Sequence, residues 1–222
     1  MANRLMVAII DYESGNLFSV KRACENAGLR PVITSDVSVI MDSNAVILPG
    51  VGAFEDAMDN LGKLDLITPI NEFIETGKLF MGICLGMQLL MTESEEFGNH
   101  KGLNIIKGNV IRFPSNNSDD NKIKVPQVGW NQIFRPSTNE DCWDKSPLKD
   151  IKNGEFMYFV HSYYPQPEDT EVVLSTTTYE ETKFCSSILW NNVFATQYHP
   201  EKSAIEGIRI YRNFALMIKN KG

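Results

Sequence analysis

Short continuous runs of apolar residues recur along the first half of the chain, each bounded by turn-forming or charged residues. Runs of this length without polar alternation are typical of strands buried on both faces of a parallel sheet. Between them, apolar residues recur at helical spacing, as from Leu17 to the C-cap signal Gly28 and from Phe54 through Leu61. The pattern predicts strands at 5–10, 32–34, 45–48 and 78–83, alternating with helices.

The second half of the chain predicts strands joined by shorter turns. A strand pair is expected within 102–113, followed by a polar surface loop at 114–121 that carries no chemistry. Further strands are predicted at 127–131, 155–160, 172–175, 184–189 and 193–198, and a terminal helix at 205–217. We therefore expect a single α/β domain over residues 1–222. Its central, mostly parallel sheet would be flanked by helices, with an added mixed, partly antiparallel edge.

Charge and composition exclude several classes of function. The chain has 21 Lys and Arg against 28 Asp and Glu, and its net charge of −7 would repel nucleic acids and anionic membranes. No apolar run approaches the roughly 20 residues of a membrane span. The four cysteines show no CxxC spacing, so neither a metal site nor a disulfide scaffold is expected. We expect a cytoplasmic protein that needs no metal or other cofactor.

Cys84 is predicted to lie at a sharp corner between a strand and a helix. The strand at 78–83 precedes it, and apolar residues at helical spacing follow it. Gly82 and Gly86 remove the Cβ atoms that would crowd such a corner. The N-terminus of the following helix would favour the thiolate, so the pattern indicates a nucleophile. The alternative is a small buried cysteine in the core, as most free cysteines are.

A glycine-rich loop, Pro49-Gly50-Val51-Gly52, follows the strand at 45–48. Open α/β sheets bind ligands at the carboxyl ends of their strands, so this loop is a candidate phosphate or oxyanion site. It lacks the G-x-G-x-x-G spacing and the Walker lysine, which disfavours a nucleotide. A tight turn without chemistry is the alternative if Cys84 is not reactive.

His199 is the candidate general base. Pro200 disfavours the helical region for the residue before it, so His199 and Glu201 should project from the same side of an extended segment. A carboxylate beside an imidazole fixes its tautomer and supports its positive charge, as in catalytic triads. His100 and His161 are expected to be structural, hydrogen-bonded residues.

Two further segments have both a structural and a functional interpretation. The acidic run at 92–96 is expected to be a solvated face with one carboxylate turned inward. Trp130 follows Gly129 in a short strand, where it is either buried or directed at a partner protein.

Several motifs together resemble one known family. Residues 82–88 and 198–203 resemble the two signatures of the class I, triad-type glutamine amidotransferases, and the loop at 49–52 resembles that family's oxyanion segment. Within the family, residues 11–17, 101–103, 128–131 and 158–163 resemble the glutaminase subunits of imidazole glycerol phosphate synthases. The similarity extends nearly from end to end and implies the family's flavodoxin-like fold.

The resemblance implies a role for each matching residue. Cys84 would be the nucleophile, His199 the general acid and base, and Glu201 its orienting partner. The remaining roles are an oxyanion frame from Gly50, Val51 and Leu85; glutamine binding by Gly52, Gln88, Glu96, His161, Ser162 and Tyr163; and a partner interface at Asn16, Trp130, Tyr158 and Lys202.

The resemblance also implies the reaction and its alternatives. Glutamine would be hydrolysed to glutamate and ammonia through a cysteine thioester. The ammonia would pass to a cyclase subunit, bound as a heterodimer, which makes imidazole glycerol phosphate and AICAR in histidine biosynthesis. A paralogous subunit that supplies ammonia to another synthase, such as one for bacterial sugar amidation, would carry the same glutaminase residues. A stand-alone cysteine hydrolase, fully active without a partner, is an alternative from another class.

Overall fold

A seven-stranded sheet forms the centre of the protein in a computed structural model, which describes residues 5–136 and 141–221. Thirteen strands are found in this described part of the chain. They are β1 (Met6–Ile10), β2 (Arg30–Thr34), β3 (Ala45–Gly50), β4 (Leu79–Cys84), β5 (Glu93–Ser94), β6 (His100–Lys101), β7 (Gly108–Arg112), β8 (Gln127–Ile133), β9 (Glu155–His161), β10 (Tyr163–Pro167), β11 (Val173–Tyr179), β12 (Thr182–Trp190) and β13 (Val193–Thr196).

The central sheet has the strand order β11-β12-β13-β4-β3-β1-β2. The strands from β13 to β2 are parallel, whereas β11 and β12 form an antiparallel edge next to β13. The predicted α/β fold with a mostly parallel sheet and an antiparallel edge is therefore confirmed. The strands β4 and β13 are parallel neighbours, so Cys84 and the segment that carries His199 lie together at the carboxyl ends of these strands.

Helices cover both faces of the sheet, because alternate residues of the parallel strands enter two apolar layers. In β1, Val7 and Ile9 pack into the layer beneath the helices at 17–26 and 204–221, and Ala8 and Ile10 pack into the layer beneath the other helices. None of the described helices is long and apolar enough to cross a membrane. The helices are α1 (Leu17–Asn26), α2 (Val37–Asp42), α3 (Phe54–Lys63), α4 (Ile67–Glu75), α5 (Leu85–Leu89) and α6 (Ala204–Lys221).

Two smaller sheets lie outside the central one. Strands β10, β7, β5 and β6 form a four-stranded sheet in that order. Strands β8 and β9 form a two-stranded antiparallel ribbon, in which Val128 pairs with Val160 and Trp130 pairs with Tyr158. Directly opposite residues lie on the same face of a ribbon, so these four side chains share one face.

The structure corrects some of the predicted elements. The strand pair expected within 102–113 is wrong, since only Gly108–Arg112 forms a strand there. The backbone before it is held as a loop, because the amides of Leu103 and Ile105 donate to carbonyls at the C-terminal end of α5. Helices α2 and α4 were not predicted. A start signal for α2 is present in the sequence, where Asp36 accepts a hydrogen bond from the Ser38 amide at 2.8 Å.

Candidate active site

Cys84 occupies a strained corner at the end of β4. Its backbone has φ 55° and ψ −111°, and α5 begins at the next residue. A positive φ is uncommon for a residue other than glycine and is a feature of strand-to-helix turns that expose a nucleophile. The side chain is 6 % exposed. The corner predicted from the sequence is confirmed, and it holds the thiol at the carboxyl end of a central strand.

The glycines around the corner are needed for close packing. A Cβ atom on Gly86 would lie 1.9 Å from the carbonyl oxygen of Leu48 in β3, and one on Gly82 would lie 2.9 Å from the carbonyl oxygen of Gly86. Any larger residue at position 86 would therefore push α5 off the sheet. This contact is the physical reason for the glycines two residues before and after Cys84.

The Pro49–Gly52 loop lies beside the thiol, and two side-chain hydroxyls hold its backbone carbonyls. Gly50 is the register partner of Cys84 in the neighbouring strand. The Tyr12 hydroxyl donates to the Pro49 carbonyl at 2.8 Å, and the Ser14 hydroxyl donates to the Val51 carbonyl. A trans peptide directs its C=O and N–H to opposite sides, so the Gly52 amide points away from Ser14.

His199 and Glu201 form a buried pair beside Cys84. The His199 Nδ1–H donates to Glu201 Oε1 at 2.8 Å, and the two side chains are 2 % and 1 % exposed. The extended segment expected there is wrong beyond His199, since Pro200–Lys202 forms a single 3₁₀ turn. This turn, rather than strand alternation, returns the carboxylate to the imidazole. The His199 amide also donates to the Tyr158 carbonyl at 2.9 Å, which ties the base to the ribbon.

The electrostatics of the pair favour an imidazolium. Burial alone would lower the pKa of His199, but the neighbouring Cys84 sulfur and the Glu201 carboxylate, which accepts the Nδ1–H, raise that pKa above its ordinary value. The arrangement therefore suits a thiol nucleophile paired with an imidazolium acid. Such a pair supplies both a nucleophile and an acid.

A cavity of about 330 Å³ opens above the thiol and brings most of the predicted residues together. Gly50 and Glu201 do not line it, since Gly50, at the end of β3, packs against Tyr12 and Leu85, and Glu201 lies behind His199. Pro126 and Val160 line it and were not predicted. Within the described ranges, no group of three or more His, Cys, Asp or Glu could hold a metal ion. The lining residues are Val51, Gly52, Cys84, Leu85, Gln88, Glu96, Pro126, Val160, His161, Ser162, Tyr163 and His199.

Glu96 is the inward-facing carboxylate of the acidic run. Its Oε2 accepts the Phe54 amide at the start of α3 at 2.7 Å, and it lines the cavity. Burial raises the pKa of Glu96, although the hydrogen bond from Phe54 opposes this effect. One carboxylate of the run is thus fixed at the cavity, as predicted.

Gln88 and Gln197 connect the cavity to the thiol. Gln88 Nε2 donates to the Tyr163 carbonyl at 2.9 Å and to Gln197 Oε1 at 3.0 Å. Gln197 Nε2 lies 3.7 Å from Cys84 Sγ. Gln197 was not predicted from the sequence, although it stands two residues before His199 in a segment predicted as a strand, where alternate residues face the same side.

His161 is a buried, neutral member of the cavity wall. Its Nδ1 bonds the Tyr163 carbonyl at 2.8 Å, as expected for a structural histidine. Burial lowers the pKa of His161 to about 4, the Tyr163 hydrogen bond opposes this, and nearby His199 adds to it. Between pH 6.5 and 4 the unfolded chain therefore binds a proton that the folded chain does not.

This difference predicts a loss of stability in acid. The contribution of His161 to the free energy of unfolding is expected to fall by about 3 kcal/mol as the pH drops from 7 to 4, at about 1.4 kcal/mol per pH unit of the shift. Urea unfolding of the wild type and His161→Asn at pH 7, 5.5 and 4 measures it, because the stability difference between them should shrink by that amount. His100→Asn is the control. If the free energy of unfolding depends on pH equally in the His161 and His100 variants, His161 is not the group responsible for the loss of stability.

Two of the four predicted interface residues, Trp130 and Tyr158, lie on the ribbon, and a third, Lys202, lies beside them in the 3₁₀ turn. Trp130 is 53 % exposed, so its buried interpretation is wrong. Its ring packs edge-on against Tyr158 with centroids 6.1 Å apart, and Lys202 Nζ lies 5.9 Å from the centre of the Tyr158 ring. Asn16 precedes α1, and its side chain does not cap that helix.

Sequence comparisons place these features in a known context. Residues 8–218 match the family model "Glutamine amidotransferase class-I". The imidazole glycerol phosphate synthase subunit HisH of Syntrophotalea carbinolica is 48 % identical over 214 residues, which cover 96 % of this chain and 100 % of the relative. The same subunit of Aquifex aeolicus is 46 % identical, with 95 % and 96 % covered.

Solved structures agree with the fold. PurLQS of Thermotoga maritima superimposes with a TM-score of 0.66 at 21 % identity, covering 98 % of this chain and 99 % of that one. The glutaminase domain of Trypanosoma brucei CTPS gives a TM-score of 0.66 at 15 % identity, covering 98 % and 95 %. These likenesses concern the fold alone, and they confirm the amidotransferase-like architecture expected from the sequence.

Proposed function

Because this chain belongs to the class-I glutamine amidotransferase family, with HisH subunits among its relatives, we propose that it is the glutaminase subunit of an imidazole glycerol phosphate synthase. It hydrolyses glutamine to glutamate and ammonia, and a cyclase subunit uses the ammonia in histidine biosynthesis. The observation that carries the catalytic part is the buried His199–Glu201 pair next to the thiol of a strand-to-helix corner, at the base of a cavity.

The geometry supports a two-step acyl transfer. The Cys84 thiolate attacks the side-chain amide carbon of glutamine, and its C–O double bond opens to an oxyanion beside the backbone of Leu85 and the Pro49–Gly52 loop. The imidazolium of His199 gives its proton to the departing nitrogen, which leaves as ammonia. His199 then takes a proton from water, whose oxygen attacks the thioester and releases glutamate and the thiolate.

Glutamine fits the cavity through its polar wall. Glu96 supplies a negative charge for the α-ammonium group, and the backbone of His161, Ser162 and Tyr163, where β9 passes into β10, supplies hydrogen-bonding groups. Gln88 lies one helical turn after Cys84, where its side chain reaches the same space. A cavity of this size suits a single amino acid.

The ribbon is the proposed docking face for the cyclase. Its outer face presents Val128, Trp130 and Phe156, exposed by 57 %, 53 % and 49 %, an amount of apolar surface expected at a protein interface. The same ribbon borders the chemistry, because the Val160 carbonyl lies 3.9 Å from Cys84 Sγ and the Tyr158 carbonyl accepts the His199 amide. Ammonia released at the thiol is therefore close to the partner.

The test compares glutaminase activity with and without the partner. The purified chain should release glutamate slowly from glutamine, and the rate should rise sharply when the cyclase subunit of the same organism and its acceptor substrate are added. Full activity of the isolated chain would instead identify a stand-alone hydrolase. Growth of a deletion strain without histidine, with no second copy of the gene, would reject the histidine assignment and favour another synthase.

Trp130→Ala is expected to weaken cyclase binding at least about 30-fold, equivalent to about 2 kcal/mol, as for an aromatic residue at the centre of an interface. Titration calorimetry of the two subunits measures the affinity. Leu216→Ala removes a side chain of similar exposure, 58 %, from α6 and should leave binding unchanged. Equal affinities of the Trp130 variant and the wild type would reject the ribbon as the docking face.

A further inference from the structure

Two buried carboxamides form a hydrogen-bonded chain that ends at the Cys84 sulfur. Gln197 is fully buried, and its backbone amide donates to the Ser186 carbonyl of β12 at 2.9 Å. Its side-chain oxygen accepts from Gln88 Nε2 at 3.0 Å, and its side-chain nitrogen faces the sulfur at 3.7 Å. Gln88 is 5 % exposed, so both carboxamides are almost wholly buried.

The direction of the chain is set by a backbone carbonyl at its far end. The Tyr163 oxygen can only accept, so the Gln88 atom that faces it at 2.9 Å is the nitrogen. The second proton of that nitrogen points to Gln197, so the Gln197 atom that receives it is the oxygen. The Gln197 nitrogen must then face Cys84. This orientation follows from hydrogen-bonding capacity alone.

We propose that Gln197 is a hydrogen-bond donor to the Cys84 thiolate and that Gln88 is the positioning residue that aims it. The inference deepens the proposed function, on which it rests, by adding a residue to the nucleophile's surroundings. Both protons of the Gln88 nitrogen are used within the protein, so only its oxygen is left for glutamine. Gln88 then accepts a hydrogen bond from the substrate and holds Gln197 at the same time.

The Val160 carbonyl, which also faces the sulfur, increases the need for a donor. The thiol can donate to the Val160 carbonyl at 3.9 Å, an interaction that favours the protonated form. Once the proton is lost, that carbonyl dipole repels the negative sulfur. Gln197 and His199 compensate for this repulsion, and Gln197 does so as a neutral group whose donor does not titrate.

The experiment measures the pH dependence of Cys84 alkylation by iodoacetamide, which reacts with the thiolate, in the full-length chain. The modified peptide is quantified by mass spectrometry. The other thiols interfere little, because burial raises the pKa of Cys24 to about 12 and also raises the pKa values of Cys142 and Cys185. Gln197→Met removes the donor at similar volume, and Gln197→Glu replaces it by an acceptor.

In both variants the midpoint of the alkylation profile should move up by about one to two pH units, as expected for loss of one hydrogen bond to a charged group. Asn192→Leu is the matched control, since it deletes a buried amide that donates to the Ile74 carbonyl in α4 and to the Lys78 carbonyl just before β4, far from Cys84 along that strand. Its profile should coincide with that of the wild type. A wild-type profile in a folded Gln197 variant, or an equal shift in the control, overturns the proposal.

The measurement needs neither glutamine nor the cyclase. If the Gln197 variants shift the alkylation profile but the assembled wild-type enzyme has no glutaminase activity, the proposed function is rejected and the thiolate donor is retained. If the assembled wild-type enzyme is active but the Gln197 variants leave the profile unshifted, the proposed function is retained and the thiolate donor is rejected.

Discussion

Replacement of Cys84 by alanine is expected to lower glutamine-dependent synthesis by the assembled enzyme at least about 10⁴-fold, whereas synthesis from added ammonium salt continues at the wild-type rate. Removing a nucleophile leaves only the small contribution of binding and the oxyanion site to glutamine hydrolysis. In the proposed enzyme, the ammonia-dependent reaction takes place on the cyclase and needs only a docked partner. Steady-state assays with each nitrogen source measure both activities.

Two features of the thiol's surroundings explain why the substitution should affect only the glutamine-dependent activity. Alanine retains the Cβ atom and fits the corner at φ 55°, so the fold of the elbow is preserved. The proposed docking ribbon contacts the site through backbone carbonyls, which the substitution leaves in place. Cys142→Ala, at a partly exposed cysteine outside the cavity, is the control and should retain both activities. Loss of both activities in the Cys84 variant would assign the residue to folding or assembly.

The parallel part of the fold could be predicted from the sequence because its strands are buried on both faces. A strand such as β3 has no polar side to present, so it appears as an unbroken apolar run. The loop that precedes β7 is equally apolar in places, and the sequence therefore suggested a strand there. Its backbone amides are instead taken by the carbonyls at the end of α5, a contact between segments that adjacent residues do not encode.

The candidate site was predicted to the extent that its chemistry is local in the sequence. Cys84 is marked by its flanking glycines, and His199 is marked by Pro200 and the carboxylate that follows it. The residues that were missed act across long separations: Ser14 reaches the Val51 carbonyl 37 residues away, and Gln197 reaches Cys84 113 residues away. The contacts themselves arise only when parallel strands align their carboxyl ends. The position of Gln197 two residues before His199 indicates which side it faces, but not that it reaches Cys84.

The Glu201 carboxylate should control both the rate of the glutaminase reaction and its pH dependence. Glu201→Gln keeps the shape of the side chain and removes its charge. The glutamine can present either its oxygen or its nitrogen to His199 Nδ1, so the imidazole no longer has one fixed tautomer. We expect kcat/KM for glutamine to fall by about 10³- to 10⁴-fold, comparable to the effect of the corresponding change in serine protease triads.

The sign of the pH effect follows from the pKa of His199. Cys84 and Glu201 together raise that pKa, which keeps the imidazolium available as an acid up to higher pH. Without the carboxylate the pKa falls, so the alkaline limb of the residual activity should move to lower pH. Because Glu201 is 1 % exposed and 2.8 Å from the imidazole, solvent cannot replace its charge.

Glu206→Gln is the control that tests whether loss of any nearby carboxylate lowers the rate and moves the alkaline limb, or only loss of Glu201. Glu206 lies on α6 and pairs with Arg209 at the surface, so its substitution should change neither the rate nor the alkaline limb. A Glu201 variant that stays within about fivefold of the wild type, with an unmoved alkaline limb, would mean that His199 is oriented by its backbone alone. The Tyr158 carbonyl and the Ser203 hydroxyl, which bond the amide and carbonyl of His199, would then be the groups that position the base.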